Sequence, residues 1–311
     1  MDRLDELSIL VAIVETGSLK AAGQRLRLSA PTVTRALSAL EERVGARLIQ
    51  RTTRRLSATD AGRELAERAK WMLAEYEGCM DGAFSGLKGG PISGPLRVTA
   101  PLAFGRRHVT PLVTEFLALH PKVQIDLLLN DRNVDLVGEN IQLAVRIGEL
   151  ADSSLIARRV GEVRRVLVAT PDYLSRHGAP QAPADLVRHD VILSTAATDT
   201  AEWRFENGGR TQIVRLTPRL RINEIESVLL AVRSGQGIAR ALSYQVADDL
   251  ASGTLVRLLP DAEPAAFPVQ LVVPGGRHMG RAVRTLLDHM AHRLGQLDVI
   301  RPEPVFLKRH F

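Results

Sequence analysis

The chain has a single cysteine, Cys79, among its 311 residues, so no disulfide can form within it. It also lacks any run of eighteen or more apolar residues, which removes a membrane-spanning helix from consideration. Its first residues include Asp2, Asp5 and Glu6, where a signal peptide would carry a basic stretch and an apolar core. These absences together point to a reducing cytoplasm. There is no Walker loop, Rossmann fingerprint or nucleophile motif. The run Gly82-Ala83-Phe84-Ser85-Gly86 places its serine off the centre that a nucleophile elbow requires. The eight histidines are scattered. His289 and His292 share a helix face, but no Cys, His or acid pair stands near them in sequence, so neither metal nor cofactor is expected, and no enzyme activity.

What is present is a profile of 45% hydrophobic and 24% charged residues, that of a globular protein with two or three domains. The formal net charge is +6, and it is unevenly spread. Between Lys20 and Arg55 stand nine Lys or Arg (20, 25, 27, 35, 43, 47, 51, 54, 55) against two acids, Glu41 and Glu42. That stretch carries the whole surplus and is large enough to neutralise several phosphates.

The same stretch has helical punctuation. Leu4, Leu7, Val11 and Val14 recur at helical spacing up to Gly17, and Ser18 is placed to cap a second helix from Leu19 to Leu26. After a short turn at Arg27 and Leu28, Ser29 or Ala30 precedes Pro31, and proline suits the first turn of a third helix. Val33, Leu37, Leu40 and Val44 mark the buried face of that helix, and Gly45 stops it. Two helices joined by a tight turn read as a helix-turn-helix. Opposite the buried stripe lie Pro31, Arg35, Ser38 and Glu42, with Thr34 on the flank. Arg35 has the fork that matches guanine O6 and N7. Thr34 can bond a base or phosphate, and Thr32 or Pro31 can touch a thymine methyl. The alternative for this surface is an ordinary solvated helix face. Leu48 to Thr59 then gives two short β-prone pieces around a polar tip, a wing. Here Arg54 suits the minor groove and Arg51 and Arg55 suit phosphates, with Thr53 a further DNA-contact candidate at the tip.

From Leu4 to Gly62 these residues resemble the LysR-type transcriptional regulators, through LDELSILVAIVETGSLKAAGQRL and LSAPTVTRALSALEERVGARLIQRTTRRLSATDAG. The resemblance continues to about residue 295 with PLRVTAPLAFGR, LAVRIGEL, DSSLIARRVG and DDLASGTLVRLLP. It implies an α/β protein with an N-terminal winged helix-turn-helix, a linker helix, and a two-lobed effector domain like a periplasmic binding protein. By the same likeness Ala30, Pro31, Thr34 and Arg35 fall on base-reading positions, and Arg54 on the wing contact. Expected partners are double-stranded operator DNA, a small-molecule effector, a second or further copies of the chain as a homodimer or homotetramer, and RNA polymerase.

The expected boundaries are 1–58 for the DNA-binding domain, 59–90 for the linker helix and hinge, 91–300 for the effector domain, and 301–311 for a tail. Within the linker, Leu65, Ala69, Met72, Tyr76, Cys79 and Ala83 repeat at alternating spacings of four and three, a heptad seam. It fits a dimer, or a helix packed on its own domain. Cys79 on this seam reads as a buried thiol, since no environment that lowers a thiol pKa is visible around it. Gly86, Gly89, Gly90, Pro91 and Gly94 read as a hinge.

Beyond the hinge the pattern alternates as β/α, with a parallel sheet expected. Strands are read at 96–100, 123–129 and 143–147, and helices at 106–119 and, short, at 132–138. A second series follows from Arg164, with strands near Leu167, Ile192, Phe205, Val214 and Ile222 and a helix at 224–234. A strand at 269–273 and a helix at 280–294 return to the first lobe. Lobe I then covers 91–163 and 266–300, and lobe II 164–265. Two lobes crossed twice leave a cleft. Its candidate residues are Pro101, Leu102, Ala103 and Phe104 at the first helix start, Arg146 at the end of the third strand, and Thr195 and Asn223 on the second lobe. The family often has a hydroxyl-bearing residue near Pro101, and this chain has none between 101 and 104. Arg146 suits an anion, or a salt bridge with Glu149. Gly235 and Gly237 read as a helix cap and turn. A two-lobed binding protein or enzyme without a DNA role is the competing reading.

Overall fold

The computed structural model describes residues 2–51, 56–84, 91–132, 134–150, 155–196, 201–207, 209–275 and 279–302, with only the backbone of 51, 74, 75, 77–84 and 207. The chain divides into two compact units, Met1–Pro95 and Leu96–Phe311.

The first unit contains α1 (Arg3–Thr16), α2 (Leu19–Leu26), α3 (Ala30–Val44), the antiparallel pair β1 (Ile49–Arg51) and β2 (Leu56–Ala58), and α4 (Asp60–Phe84). Each helix start has the cap that its sequence offers: Asp2, Ser18 and Ser29 accept from backbone N–H groups of the first turns. Gly17 and Gly45 end α1 and α3 in the left-handed conformation, at φ 64° and 73°. The core joins Ile9, Leu10 and Ile13 of α1 to Ala22, Val33, Leu37, Leu40, Leu48 and Ile49.

The α1 stripe differs from the expected one. Ile9, Leu10 and Ile13 are fully buried, whereas Leu4, Leu7, Val11 and Val14 are only half-buried. The reason is that α1 packs against α4 as well as against α2 and α3, so its apolar surface is broad rather than one stripe. Val44, expected on the buried face of α3, is 47% exposed, because it falls on the last turn before Gly45. Thr59 caps α4: its Oγ1 accepts from Gly62 N at 2.9 Å and donates to the Leu48 carbonyl at 3.1 Å. At Gly62 a Cβ would lie 2.0 Å from the Leu48 oxygen, so only glycine lets α4 approach β1 this closely.

The second unit is built on two five-stranded sheets. The first contains β3 (Gly94–Ala100), β4 (Val123–Leu129), β5 (Leu143–Ile147), β6 (Leu155–Val163) and β14 (Phe267–Pro274), in the order β4-β3-β5-β14-β6. The second contains β7 (Arg165–Ala169), β8 (Val191–Ser194), β11 (Leu220–Ile222), β12 (Ile238–Leu242) and β13 (Val256–Leu258), in the order β11-β8-β12-β7-β13. A hairpin, β9 (Glu202–Asn207) and β10 (Arg210–Arg215), brings Trp203, Phe205 and Val214 into the core of the second sheet beside Tyr173 and Ile238. The helices are α5 (Leu102–Phe104), α6 (Thr110–Leu119), α7 (Pro171–His177), α8 (Ile225–Arg233), α9 (Ala247–Ser252) and α10 (Arg281–Leu294).

Three expectations are corrected. The sheets are mixed rather than parallel: β3–β5, β8–β11 and β8–β12 are parallel, but β14 runs antiparallel to β5 and β6, and β7 antiparallel to β12 and β13. The antiparallel pairs arise where the chain crosses between sheets without a helical crossover. In place of the short helix expected at 132–138, the described residues 134–140 form no helix but a turn at 136–140. There Asp135 Oδ1 takes the Val137 N–H at 3.0 Å, and Asn140 adopts φ 53°. The helix expected to begin at Arg106 begins at Leu102, and Gly105–Val109 form a π-helical turn between α5 and α6.

Candidate functional site

The helix-turn-helix is set by a close crossing of α2 and α3. Arg27 takes the left-handed conformation at φ 57°, and the Leu28 N–H returns to the Gly23 carbonyl at 2.8 Å. A Cβ on Gly23 would meet the Leu28 oxygen at 2.8 Å, so this glycine fixes how tightly the turn closes. Ser29 Oγ accepts from Thr32 N at 3.3 Å and lies 2.7 Å from Thr32 Oγ1. The Thr32 hydroxyl is therefore shared with the cap.

On α3, Val33, Ala36, Leu37 and Leu40 are buried, and Ala30, Pro31, Arg35 and Ser38 are exposed on the other side. Thr32 and Thr34 are half-buried at the flank. Among the described residues no carboxylate pairs with Arg35, nor with exposed Lys20, Arg27 or Arg47. Two members of the basic run are spent internally. Arg25 binds Glu15 at 2.5 Å, and Arg43 grips the buried Glu6 carboxylate with both Nη atoms, at 2.5 and 3.0 Å. Burial alone would push the Glu15 carboxyl up, but the hydrogen bonds from Arg25 and Lys70 hold it below the usual range. The surplus charge available to a polyanion is thus smaller than the count of nine implies.

The wing is anchored to α3 by Glu41, whose Oε1 accepts from Leu48 N at 2.8 Å and Ile49 N at 3.0 Å. Sequence reading missed this role, since a glutamate on an exposed helix gives no sign of the strand it will meet. Arg51 lies in β1, and Thr53, Arg54 and Arg55 lie outside the described residues. On α4 the heptad seam divides. Ala69 is buried and Leu65 packs half-buried on the unit's own core, while Met72 and Tyr76 are 47% and 48% exposed. The side chains of Cys79 and Ala83, and the glycine hinge from 86 to 90, lie outside the described residues.

In the second unit the expected cleft residues stand at strand ends. Thr195 and Asn223 are exposed at the neighbouring C-terminal ends of β8 and β11, where Thr195 N donates to the Ile222 carbonyl at 2.7 Å. Pro101 and Leu102 are half-buried after β3. Ala103 and Phe104 point into the core instead. Phe104 is fully buried, edge-on to Tyr244 at 5.1 Å and tilted on His108 at 5.0 Å. Arg146 Nη2 donates to the Val134 carbonyl at 2.5 Å, so part of its guanidinium is already engaged. Gly235 caps the turn after α8 at φ 68°.

Both helix starts near these residues are capped by the chain's own acids. Asp131 Oδ1 takes the Leu102 N–H at 3.0 Å. Glu224 takes Glu226 N at 2.9 Å and Ser227 N at 2.7 Å. These contacts hold the Glu224 carboxyl below the usual range, against the burial that raises it. Burial pushes the Tyr244 phenol up and, with the Arg107 charge, holds the His108 imidazole down. Sequence reading missed Arg106, Arg107, His108, Glu226 and Tyr244. One signal was available: three successive basic or titratable residues in the first turns of a helix oppose its dipole and need another purpose.

Among the described residues no group of acids, histidines or cysteine is arranged to hold a metal ion, and no helix is long and apolar enough to cross a membrane. Comparison with known proteins gives two family matches. Residues 4–63 match the bacterial regulatory helix-turn-helix protein of the lysR family, and residues 89–295 match the LysR substrate binding domain. The chain is 36% identical to the HTH-type transcriptional regulator PtxR of Pseudomonas aeruginosa, over 94% of this chain and 93% of that one. Full-length AphB, a virulence activator of Vibrio cholerae, is 27% identical with a TM-score of 0.59, covering 94% of this chain and 99% of its own. CrgA of Neisseria meningitidis is 27% identical with a TM-score of 0.60, covering 95% and 100%. Together the two matched segments span nearly the whole chain, in the order that the fold presents them, and the chain belongs to the LysR family of bacterial transcriptional regulators.

Proposed function

We propose that this regulator reads operator DNA with the exposed face of α3 and answers to a small molecule held between its two effector lobes. The DNA reading rests chiefly on Arg35. It stands exposed with no carboxylate partner among the described residues, on the side of α3 opposite Val33, Leu37 and Leu40. A long, unpaired, forked donor near the start of such a helix suits guanine in the major groove. Ala30, Pro31, Thr32, Thr34 and Ser38 complete the reading face, and Arg51, Thr53, Arg54 and Arg55 form the wing contact. In the effector domain Pro101, Leu102, Arg146, Thr195 and Asn223 bound the ligand, and Ala103 and Phe104 stiffen the helix behind it. Met72 and Tyr76 pair copies of the chain into a homodimer or homotetramer. The assembly works in the cytoplasm and meets RNA polymerase at its promoters.

The test is binding of the full chain to the upstream region of its own gene and to a random duplex of equal length. Arg35→Ala should lose roughly 1–3 kcal/mol on the specific site alone. An unchanged ratio between the two duplexes removes α3 as the reading element.

A further inference from the structure

The helix that leaves β3 is continuous from Leu102 to Leu119, but it is not α-helical throughout. At Gly105–Val109 it widens to a π turn, in which the Gly105 carbonyl accepts both the Thr110 N–H and, at 3.0 Å, the Thr110 hydroxyl. A Cβ on Gly105 would lie 2.2 Å from Leu129 Cδ2, so the helix sits close against the end of β4 and any larger residue would have to displace that leucine side chain. A π turn carries one residue more than an α turn, forms a poorer hydrogen-bond ladder, and is retained mostly where it does a job.

Here the turn presents Arg106, Arg107 and His108 to the other lobe. Arg106 Nη2 lies 3.3 Å from Glu226 Oε1 on α8, which packs on β8, β11 and β12. Arg107 Nη1 donates to the Tyr244 and Gln245 carbonyls at 3.3 and 3.4 Å, just after β12, and its Nη2 is 3.6 Å from Asp248. The Tyr244 ring, 2% exposed, stands against Phe104 and His108 of the first lobe. Glu226 Oε1 is buried with no hydrogen-bond partner among the described residues; the Arg106 charge stands 3.3 Å away, and Arg233 adds a weaker attraction. Removing the Arg106 charge leaves a covered carboxylate atom without its near cation, the costly direction of change.

We propose that the π turn is the latch that sets the angle between the two lobes, with Tyr244 as its pivot and Arg106 and Arg107 as its two ties. The turn belongs to the helix whose first N–H, at Leu102, is held by Asp131. A shift of that helix at its Leu102 end is therefore passed directly to Glu226 and to the 244–248 segment of the second lobe. The use of this latch by a ligand rests on the reading of a site between the lobes. The latch itself exists without ligand and is testable without one.

The experiment is hydrogen exchange by mass spectrometry on the ligand-free full chain. The variants are Arg107→Ala, Arg106→Glu, and the charge swap Arg106→Glu with Glu226→Arg. Exchange at 243–248 should rise about tenfold in Arg107→Ala, and at 225–230 in Arg106→Glu, with β3, β14 and α10 unchanged. The swap should return 225–230 to within about threefold of the parent. Parent-like exchange in both single variants overturns the latch. So does a swap that restores nothing, or a rise spread over β3 and β14, which would make these arginines supports of the fold rather than of the lobe angle. Because no effector is present, a wrong ligand site leaves these outcomes untouched.

Discussion

The Leu102 N–H donates to the Asp131 carboxylate at 3.0 Å, so an acid of the chain itself occupies the helix start where an acidic ligand would sit. Asp131→Asn keeps an acceptor there and removes the charge. Small carboxylates tested by calorimetric titration should bind the Asn variant about two- to fivefold more tightly, the usual worth of one charge at a helix N-terminus. Equal binding to both proteins would place the anion elsewhere in the cleft, with Arg146 the next candidate. Asp131→Ala should in addition lower stability by about 0.5–2 kcal/mol, the ordinary cost of a lost cap, read by urea denaturation.

Glu41 ties α3 to the start of β1 through two backbone N–H groups, those of Leu48 and Ile49. Both residues are buried, so Glu41→Ala strands donors that water reaches poorly, at about 1–3 kcal/mol for each. The variant should unfold earlier and should lose affinity for operator and random DNA together, because it misplaces the whole wing. Glu41→Gln keeps an acceptor and should recover most of both. A Glu41→Ala protein that binds random DNA normally would show that the wing holds its place without this tie.

The contrast between Arg35 and Glu41 shows what the sequence could tell. Arg35 was legible because its helix is amphipathic, with Ser29, Pro31 and Gly45 punctuating both ends, and its exposure follows from periodicity alone. The strands β4 and β5 were legible to the residue, since apolar runs bounded by turn residues leave little choice. Glu41 was not, because its partners come from another element. The same holds for Glu6, a charged residue on the first turn that is buried only because Arg43 meets it from α3. In the effector domain, β6 escaped notice because its central residues Arg158 and Arg159 are exposed on an edge strand and break the alternation. Phe104 was read as a cleft wall from its place beside Pro101, but a position in sequence does not say which way a side chain turns. Tyr244 and His108, more than a hundred residues away and four residues on, cover it. The interlobe contacts join segments far apart in sequence, and no local pattern announces them.

The half-buried imidazole of His108 should make stability depend on pH in one direction. Burial first, and then the Arg107 charge, depress its folded pKa below the roughly 6.5 of an unfolded chain. Above that value neither state binds the proton and the stability is complete. As pH falls below it, the unfolded chain takes up a proton that the folded chain refuses, and stability is lost. His189 is depressed in the same sense, by burial and then by His177. Thermal unfolding should therefore occur at lower temperature at pH 5.5 than at 7.5. His108→Phe keeps a ring against Phe104 and Tyr244 and should remove part of that difference, leaving the His189 share. An identical difference in the variant would mean that His108 takes up its proton as readily in the folded protein as in the unfolded chain.

Met72 and Tyr76 stand four apart on α4, about half exposed, on a helix whose preceding turns bury Ala69 and place Ala66 in the unit's own core. Two large apolar side chains left open on one helix face suit a second copy of that helix better than solvent. Replacing both with Glu would set like charges against each other on a paired seam. The variant should run as a monomer in light scattering at micromolar concentration, where the parent runs as a dimer or larger. Its unfolding by heat should stay near the parent's for the N-terminal unit. Its affinity for a duplex with two half-sites should fall to that for a duplex with one, because the second half-site is gained only through the tether between copies. A parent that is itself monomeric would refute the pairing. A variant that remains dimeric would move the seam from these two residues to another surface.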